Sequence, residues 1–215
     1  MKYRLVVFDW DGTIIDSAST IADCIRKASR DLGVEVPERE RARHVIGLGL
    51  HDAMRMAVPQ LASERYPEFV EAYRRHFHAR KDSMQLFGGM RELIDVLSGT
   101  RTLAIATGKS RRGLDRDLEF HGLARYFSAS RCADETHPKP HPAMLVELMA
   151  ETRTDAQSVL MIGDTSHDLE MARAAGVDAV GVTYGAHPEP GLRACAPLSC
   201  IPDVDSLGAW LKRNA

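Results

Sequence analysis

The sequence predicts an α/β fold: a Rossmann-like, doubly wound parallel sheet interrupted after its first strand by an inserted α-helical cap. Three observations predict it. Short apolar runs at Leu5 to Phe8, Thr102 to Ala106, Ser158 to Ile162 and Ala179 to Val182 read as strands buried on both faces. In the second half of the chain such runs alternate with helix-like segments, the pattern of a parallel sheet covered on both sides. No strand-like run interrupts Asp16 to Met84, a stretch rich in Arg, Glu and Ala. The expected division is residues 1–15 with 85–215 as the α/β core and residues 16–84 as the helical cap.

Each element follows in order. Leu5 to Phe8 is too short for a membrane span, which needs about 20 apolar residues. It ends at Asp9, so it is not a signal peptide either. From Ser17 to Leu32 the apolar positions Ile21, Cys24, Ile25, Ala28 and Leu32 form one helical stripe. Ser17 is the expected N-cap and Gly33 the expected C-cap. Glu38 to Lys81 continues as helix, with breaks at Gly47, Gly49, Pro59 and Pro67. After Gly88 come a helix at Met90 to Leu97, the strand at Thr102, a helix from Ser110 to His121 and a short strand from Tyr126 to Ala129. Pro142 to Glu151 is expected to be helical, and Asp168 to Ala175 a helix capped by Gly176, each followed by a strand.

Composition bounds the partners. The chain has 215 residues, 44% of them apolar, enough for a sizeable core. Lys and Arg number 28 against 30 Asp and Glu. That near-balance gives no basic footprint for nucleic acid or for an anionic membrane. Cys24, Cys132, Cys195 and Cys200 form no C-x-x-C pair and are expected to be reduced thiols, as in a cytoplasmic protein. No feature sets an oligomeric state.

Four motifs carry chemistry. Asp9-Trp10-Asp11-Gly12-Thr13 follows the first strand. Residues i and i+2 of extended backbone share a side, so Asp9 and Asp11 are expected to project together beyond the strand's carboxyl end. Such a pair repels unless a cation or a shared proton relieves it, and one acid can attack while the other handles a proton. Thr107-Gly108 follows the second strand run, where a hydroxyl and a free N–H suit a phosphate oxygen. Thr107-Gly108-Lys109-Ser110 also resembles the end of a P-loop. However, Leu103 stands where that motif needs glycine, and a strand stands where it needs a loop. Lys139 sits among Pro138, Pro140 and Pro142, which stiffen the backbone around one ammonium. Gly163-Asp164-Thr165-Ser166-His167-Asp168 places Asp164 at another strand end and Asp168 in the first turn of the next helix. There Asp168 complements the helix N-terminus or orients the water shell of a metal.

In this order and at these places, the four motifs resemble those of the haloacid-dehalogenase-like phosphohydrolases, and within them the phosphoglycolate-phosphatase-like group with a small helical cap. The resemblance runs from Lys2 to about Leu211. It implies Asp9 as nucleophile, Asp11 as general acid/base, and Thr107, Gly108 and Lys139 as the phosphoryl-holding groups. It also implies a Mg²⁺ held by Asp9, by the backbone carbonyl of Asp11 and by Asp164, with Asp168 behind it. Two departures are Trp10, where Phe or Leu is commoner, and Phe87-Gly88-Gly89, where a proline is usual.

The implied activity is a magnesium-dependent phosphatase acting on a small phosphorylated metabolite through an aspartyl-phosphate. A phosphomutase, a pyrophosphatase and a nucleotidase share the same core motifs. A dehalogenase needs no acid at position 11. A phospho-accepting signalling domain carries its acids on different strands and lacks an insert. Within the cap, Gly47, Leu48, Gly49, Leu50 and His51 form the loop expected to dip toward the site, since glycine lets backbone approach a ligand closely. Arg43, His44, His51, Arg74 and Arg75 are either cap contacts for an anion or part of a solvated helix face.

Overall fold

In the computed structural model, which describes residues 2–80 and 83–215, six parallel strands form one sheet in the order β3-β2-β1-β4-β5-β6. In chain order the elements are β1 (Leu5–Phe8), α1 (Ala18–Asp31), α2 (Arg39–His44), α3 (Leu50–Ala57), α4 (Tyr66–His78) and α5 (Met90–Ser98). There follow β2 (Thr102–Thr107), α6 (Arg111–Phe120), β3 (Ala129–Cys132), α7 (Ala143–Thr152) and β4 (Val159–Gly163). Last come α8 (Ser166–Ala174), β5 (Asp178–Val182), α9 (Glu189–Ala194), β6 (Ser199–Ile201) and α10 (Val204–Asn214). Met1 and the expected helical end at Lys81 lie outside the described residues.

Period-two alternation splits the core into two layers. Val6, Phe8, Leu103, Ile105, Leu160 and Ile162 face one side with residues of α5, α6 and α10. Leu5, Val7, Ala104, Ala106, Val159 and Met161 face the other with residues of α7, α8 and α9. Both faces are covered, which is why the central strands are apolar throughout rather than alternating. Each such side chain taken from water contributes about 1.5–3 kcal/mol.

β1 pairs with β2 on one side and β4 on the other, so the chain reverses its direction of winding at β1. In open parallel sheets this reversal opens a crevice beyond the carboxyl ends of the strands. Asp9 follows β1, Thr107 ends β2 and Asp164 follows β4, so three neighbouring strands deliver three motif residues to one crevice.

Helices α1 to α4, between Ile15 and Leu86, follow β1, with α1 packed against both α2 and α4, and α5 then leads into β2. Entry and exit of this insert run side by side. Ile15 bridges Leu86, the Asp16 N–H donates to the Gln85 carbonyl at 2.9 Å, and the Phe87 N–H donates to the Ile14 carbonyl at 3.1 Å.

Two local expectations need correction. Tyr126 to Ala129 is not a strand: a 3₁₀ turn occupies Ala124–Tyr126, and β3 begins at Ala129. Ser17 stands at the N-cap of α1 without capping it, because its hydroxyl donates to Asp11 at 2.8 Å. As expected, the helix after β2 starts at Ser110, whose side chain accepts from the Gly113 N–H and caps α6.

Candidate active site

Asp9 is 1% exposed and is anchored by its N–H, which donates to the Ile162 carbonyl at 2.9 Å. Its Oδ1 lies 2.7 Å from Lys139 Nζ, and the same ammonium lies 2.6 Å from Asp168 Oδ1. Lys139 reaches this position from the loop between β3 and α7 and is buried. Its burial would depress the lysine pKa, but the Asp168 and Asp9 carboxylates override that and hold it above its ordinary value. The lysine therefore stays charged across the working pH range.

Asp164 is fixed from two sides. Thr13 Oγ1 donates to its Oδ1 at 2.7 Å and the Ala186 N–H donates to its Oδ2 at 2.7 Å. Asp168 caps its own helix reciprocally with Thr165: the Thr165 N–H and hydroxyl donate to Asp168 Oδ2 at 3.1 and 2.7 Å. One oxygen of Asp168 thus belongs to the helix cap and the other to Lys139.

Asp9, Asp164 and Asp168 bring carboxylate oxygens within 4.8 Å of one another, all buried. Three carboxylates face one ammonium, and Asp9 Oδ2 has no hydrogen-bond partner among the described residues. This is a hard, oxygen-only donor set with surplus negative charge, and it fits a divalent cation. Burial first, then the charge of Asp168, pushes the Asp164 carboxyl up to about 7, and burial lifts that of Asp9 as well.

A stability prediction follows. A carboxyl whose folded pKa exceeds its unfolded value binds its proton more tightly in the fold, so stability is lost as pH rises from about 4 towards about 7. A cation replaces that proton. The metal-free protein should therefore show a falling Tm from about pH 5 to about pH 8, and millimolar Mg²⁺ should raise Tm more at the higher pH. Differential scanning fluorimetry in chelator and in Mg²⁺ reads both slopes; a Mg²⁺ effect that shrinks with rising pH would contradict this cluster as the binding site.

The structure distributes the expected site residues unevenly. Asp9, Lys139, Asp164 and Asp168 are joined, with Asp168 inside the carboxylate cluster rather than behind it. The Asp11 side chain stands outside that cluster, held by Ser17 and by Lys109 Nζ at 3.2 Å. Thr107 is buried at the end of β2, and its Oγ1 accepts from the Lys109 N–H at 3.2 Å.

Gly108 meets the insert directly. A Cβ there would lie 2.6 Å from the carbonyl oxygens of both Gly47 and Leu48, so any other residue would push the α2–α3 loop away. Gly47 lies over Thr165 with φ +91°, and Gly49 lies over Pro138. The loop therefore touches the chain neighbours of Thr107, Asp164 and Lys139. Leu50 and His51 open α3; the His51 side chain is largely exposed and packs edge-on against Tyr66, 5.2 Å between centroids.

Other residues carry roles that the sequence reading did not assign. Arg43 donates through Nε to the Ala186 carbonyl at 3.1 Å and through Nη2 to that of Gly185. The His44 carbonyl accepts from His167 Nε2 at 2.8 Å and His187 Nε2 at 3.0 Å. His187 Nδ1 accepts from the Ser166 N–H, so its proton sits on Nε2; burial, then His167, push its pKa down to about 4. The Arg43 guanidinium and the His44 carbonyl thus fasten α2 to the loop that holds Asp164, which engages the Arg43 charge. Arg75 is directed to Asp31 at 3.4 Å. Thr13 stood in the first motif without a role. Lys109 followed Thr107-Gly108 directly, and that adjacency was the available signal.

Known proteins offer the comparison. A family model described as haloacid dehalogenase-like hydrolase matches residues 6–182. The chain is 38% identical over 200 residues to a probable phosphatase, IndB, of Dickeya dadantii, covering 90% of this chain and 86% of that one. It is 31% identical over 198 residues to a phosphoglycolate phosphatase of Vibrio parahaemolyticus, 87% of each chain. A tyrosine-protein kinase, PtkA, of Mycobacterium tuberculosis is 33% identical over 186 residues, 85% of this chain but 62% of that longer one. In fold, a hydrolase from Pseudomonas syringae superposes with a TM-score of 0.90 over 100% of both chains at 19% identity.

Proposed function

The chain belongs to the haloacid dehalogenase-like hydrolases, and from that premise we propose that it is a magnesium-dependent phosphatase acting on a small phosphate monoester through a phosphorylated Asp9. The observation that carries this reading is Asp9 itself: a buried carboxylate at the sheet's reversal point, with one oxygen on Lys139 and the other unpartnered.

Asp9 Oδ2 attacks phosphorus and an Asp9 acyl-phosphate forms as the ester oxygen departs. Asp11 gives that oxygen its proton and later takes one from the water that hydrolyses the acyl-phosphate. Thr107, Gly108 and Lys139 hold the transferring group, and the lysine offsets the repulsion between a phosphate dianion and a carboxylate. Asp9, Asp164 and Asp168, with the Asp11 carbonyl, would hold Mg²⁺. When bound, the ion supplies Lewis-acid neutralisation of the phosphoryl oxygens.

The groups around phosphorus do not choose the leaving group. Residues 16–84 act as a cap that does, with the Gly47–His51 loop seated against Gly108. The tight seating of this loop over Gly108 favours a small ester. The phosphoglycolate phosphatase relative supports a phosphoglycolate-like substrate.

A panel of phosphate esters tests the reading. Turnover is expected for phosphoglycolate and other small esters, with Mg²⁺ required, Ca²⁺ a poor substitute and chelator abolishing it. Full activity in chelator would remove the metal from the account. Transfer of phosphate from ATP to protein tyrosine without ester hydrolysis, or efficient dephosphorylation of a folded phosphoprotein, would overturn it.

A further inference from the structure

Lys109 lies two residues beyond Thr107, in the loop from β2 to α6, and its side chain is 8% exposed. Its Nζ stands 3.2 and 3.4 Å from the two carboxylate oxygens of Asp11, 3.0 Å from Asp117 Oδ2 and 5.0 Å from the Phe77 ring centroid. Asp117 is held in turn by Arg116 at 2.9 Å. The other grip on Asp11 is Ser17, where the insert begins, and Phe77 belongs to α4, the last helix of the insert. The Asp11 carboxylate is thus oriented at the seam between core and insert, away from the cluster around Asp9. A proton donor to the leaving oxygen has to stand on the far side of phosphorus from the nucleophile, so where the Asp11 carboxylate is aimed decides whether it can serve.

We propose that Lys109 is a positioning residue: it aims the Asp11 carboxylate at the leaving group and, through Phe77, ties that aim to the seating of the cap. The proposal rests on the phosphatase reading above. Lys109 acts on Asp11, not on phosphorus, so its removal impairs the two steps in which Asp11 moves a proton and spares phosphoryl transfer from a leaving group that needs none. The charge between Asp11 and Asp117 has to be retained for the aim to hold, because an uncharged side chain leaves two buried carboxylates to repel each other.

The test compares kcat/KM, which reports events through phosphoryl transfer to Asp9, on two probes. One is 4-nitrophenyl phosphate, whose leaving group departs without a proton. The other is glycerol phosphate, whose alkoxide needs one. Lys109→Met is expected to lose about 100-fold on glycerol phosphate and less than about 5-fold on the nitrophenyl ester. Lys109→Arg, which keeps the charge, should recover most of the alkyl-ester rate. Phe77→Leu leaves the ion pair in place and covers the case in which Lys109→Met does not fold; it should show the same selective loss, about 5- to 10-fold. Equal losses on both probes, or none, would overturn the positioning role, and an unchanged ratio in Phe77→Leu would overturn the link to the cap. Wild-type protein that hydrolyses neither ester would sink the phosphatase reading instead, which separates the two failures.

Discussion

Lys139→Met is expected to abolish turnover and to destabilise the metal-free protein by about 3–5 kcal/mol, the usual cost of removing one partner from a buried ion cluster. The Lys139 ammonium is buried and lies 2.7 Å from Asp9 and 2.6 Å from Asp168. Methionine fills a similar space with no charge, leaving Asp9, Asp164 and Asp168 with no ammonium among them. A loss in kcat of about 100-fold or more is expected, because a charge aimed at the transferring group has gone. Mg²⁺ should restore part of the lost stability but little of the rate. Thermal unfolding with and without Mg²⁺, beside steady-state kinetics, checks both halves. An unchanged Tm, or an effect confined to KM, would reduce Lys139 to a binding residue.

Asp9→Asn should separate chemistry from stability in the opposite way. The amide keeps the carboxylate's shape and removes one of three like charges crowded around a single ammonium. Tm in chelator should therefore hold or rise, while kcat falls by more than about 100-fold, since removing a nucleophile costs far more than weakening a contact. The contrast between the two variants is informative because both touch one ion pair: removing its cation destabilises, and neutralising its anion does not.

The central strands were legible because they are buried on both faces. Leu5 to Phe8 and Leu103 to Ala106 are unbroken apolar runs, and their ends located Asp9 and Thr107. The edge strands were not. β3 reads Ala-Ser-Arg-Cys with its middle pair partly exposed, and β6 has only three residues, so neither leaves an apolar run. Among site residues, those joined to a strand end could be read one at a time. Asp11 could not: its environment depends on Lys109, 98 residues away, and on a Ser17 hydroxyl that looks locally like a helix cap. Arg43 looked like an anion contact because a sequence shows charge and not its partner; in the fold its guanidinium donates to the Ala186 and Gly185 carbonyls, and beside it the His44 carbonyl accepts from the His187 side chain. Asp168 was read as a helix-cap or outer residue and is both a cap and a member of the cluster, since its two oxygens face different ways.

The central claim is that Asp9 becomes covalently phosphorylated, and trapping the acyl-phosphate tests it most directly. Enzyme mixed with a small phosphate ester and Mg²⁺ is quenched in acid during turnover, reduced with borohydride and digested, and the peptide bearing position 9 is read by mass spectrometry. Reduction of an aspartyl-phosphate leaves homoserine, so the account predicts homoserine at position 9 in the wild type and none in the Asp9→Asn control. Homoserine at another aspartate, or none at all in an enzyme that turns over its ester, would contradict it.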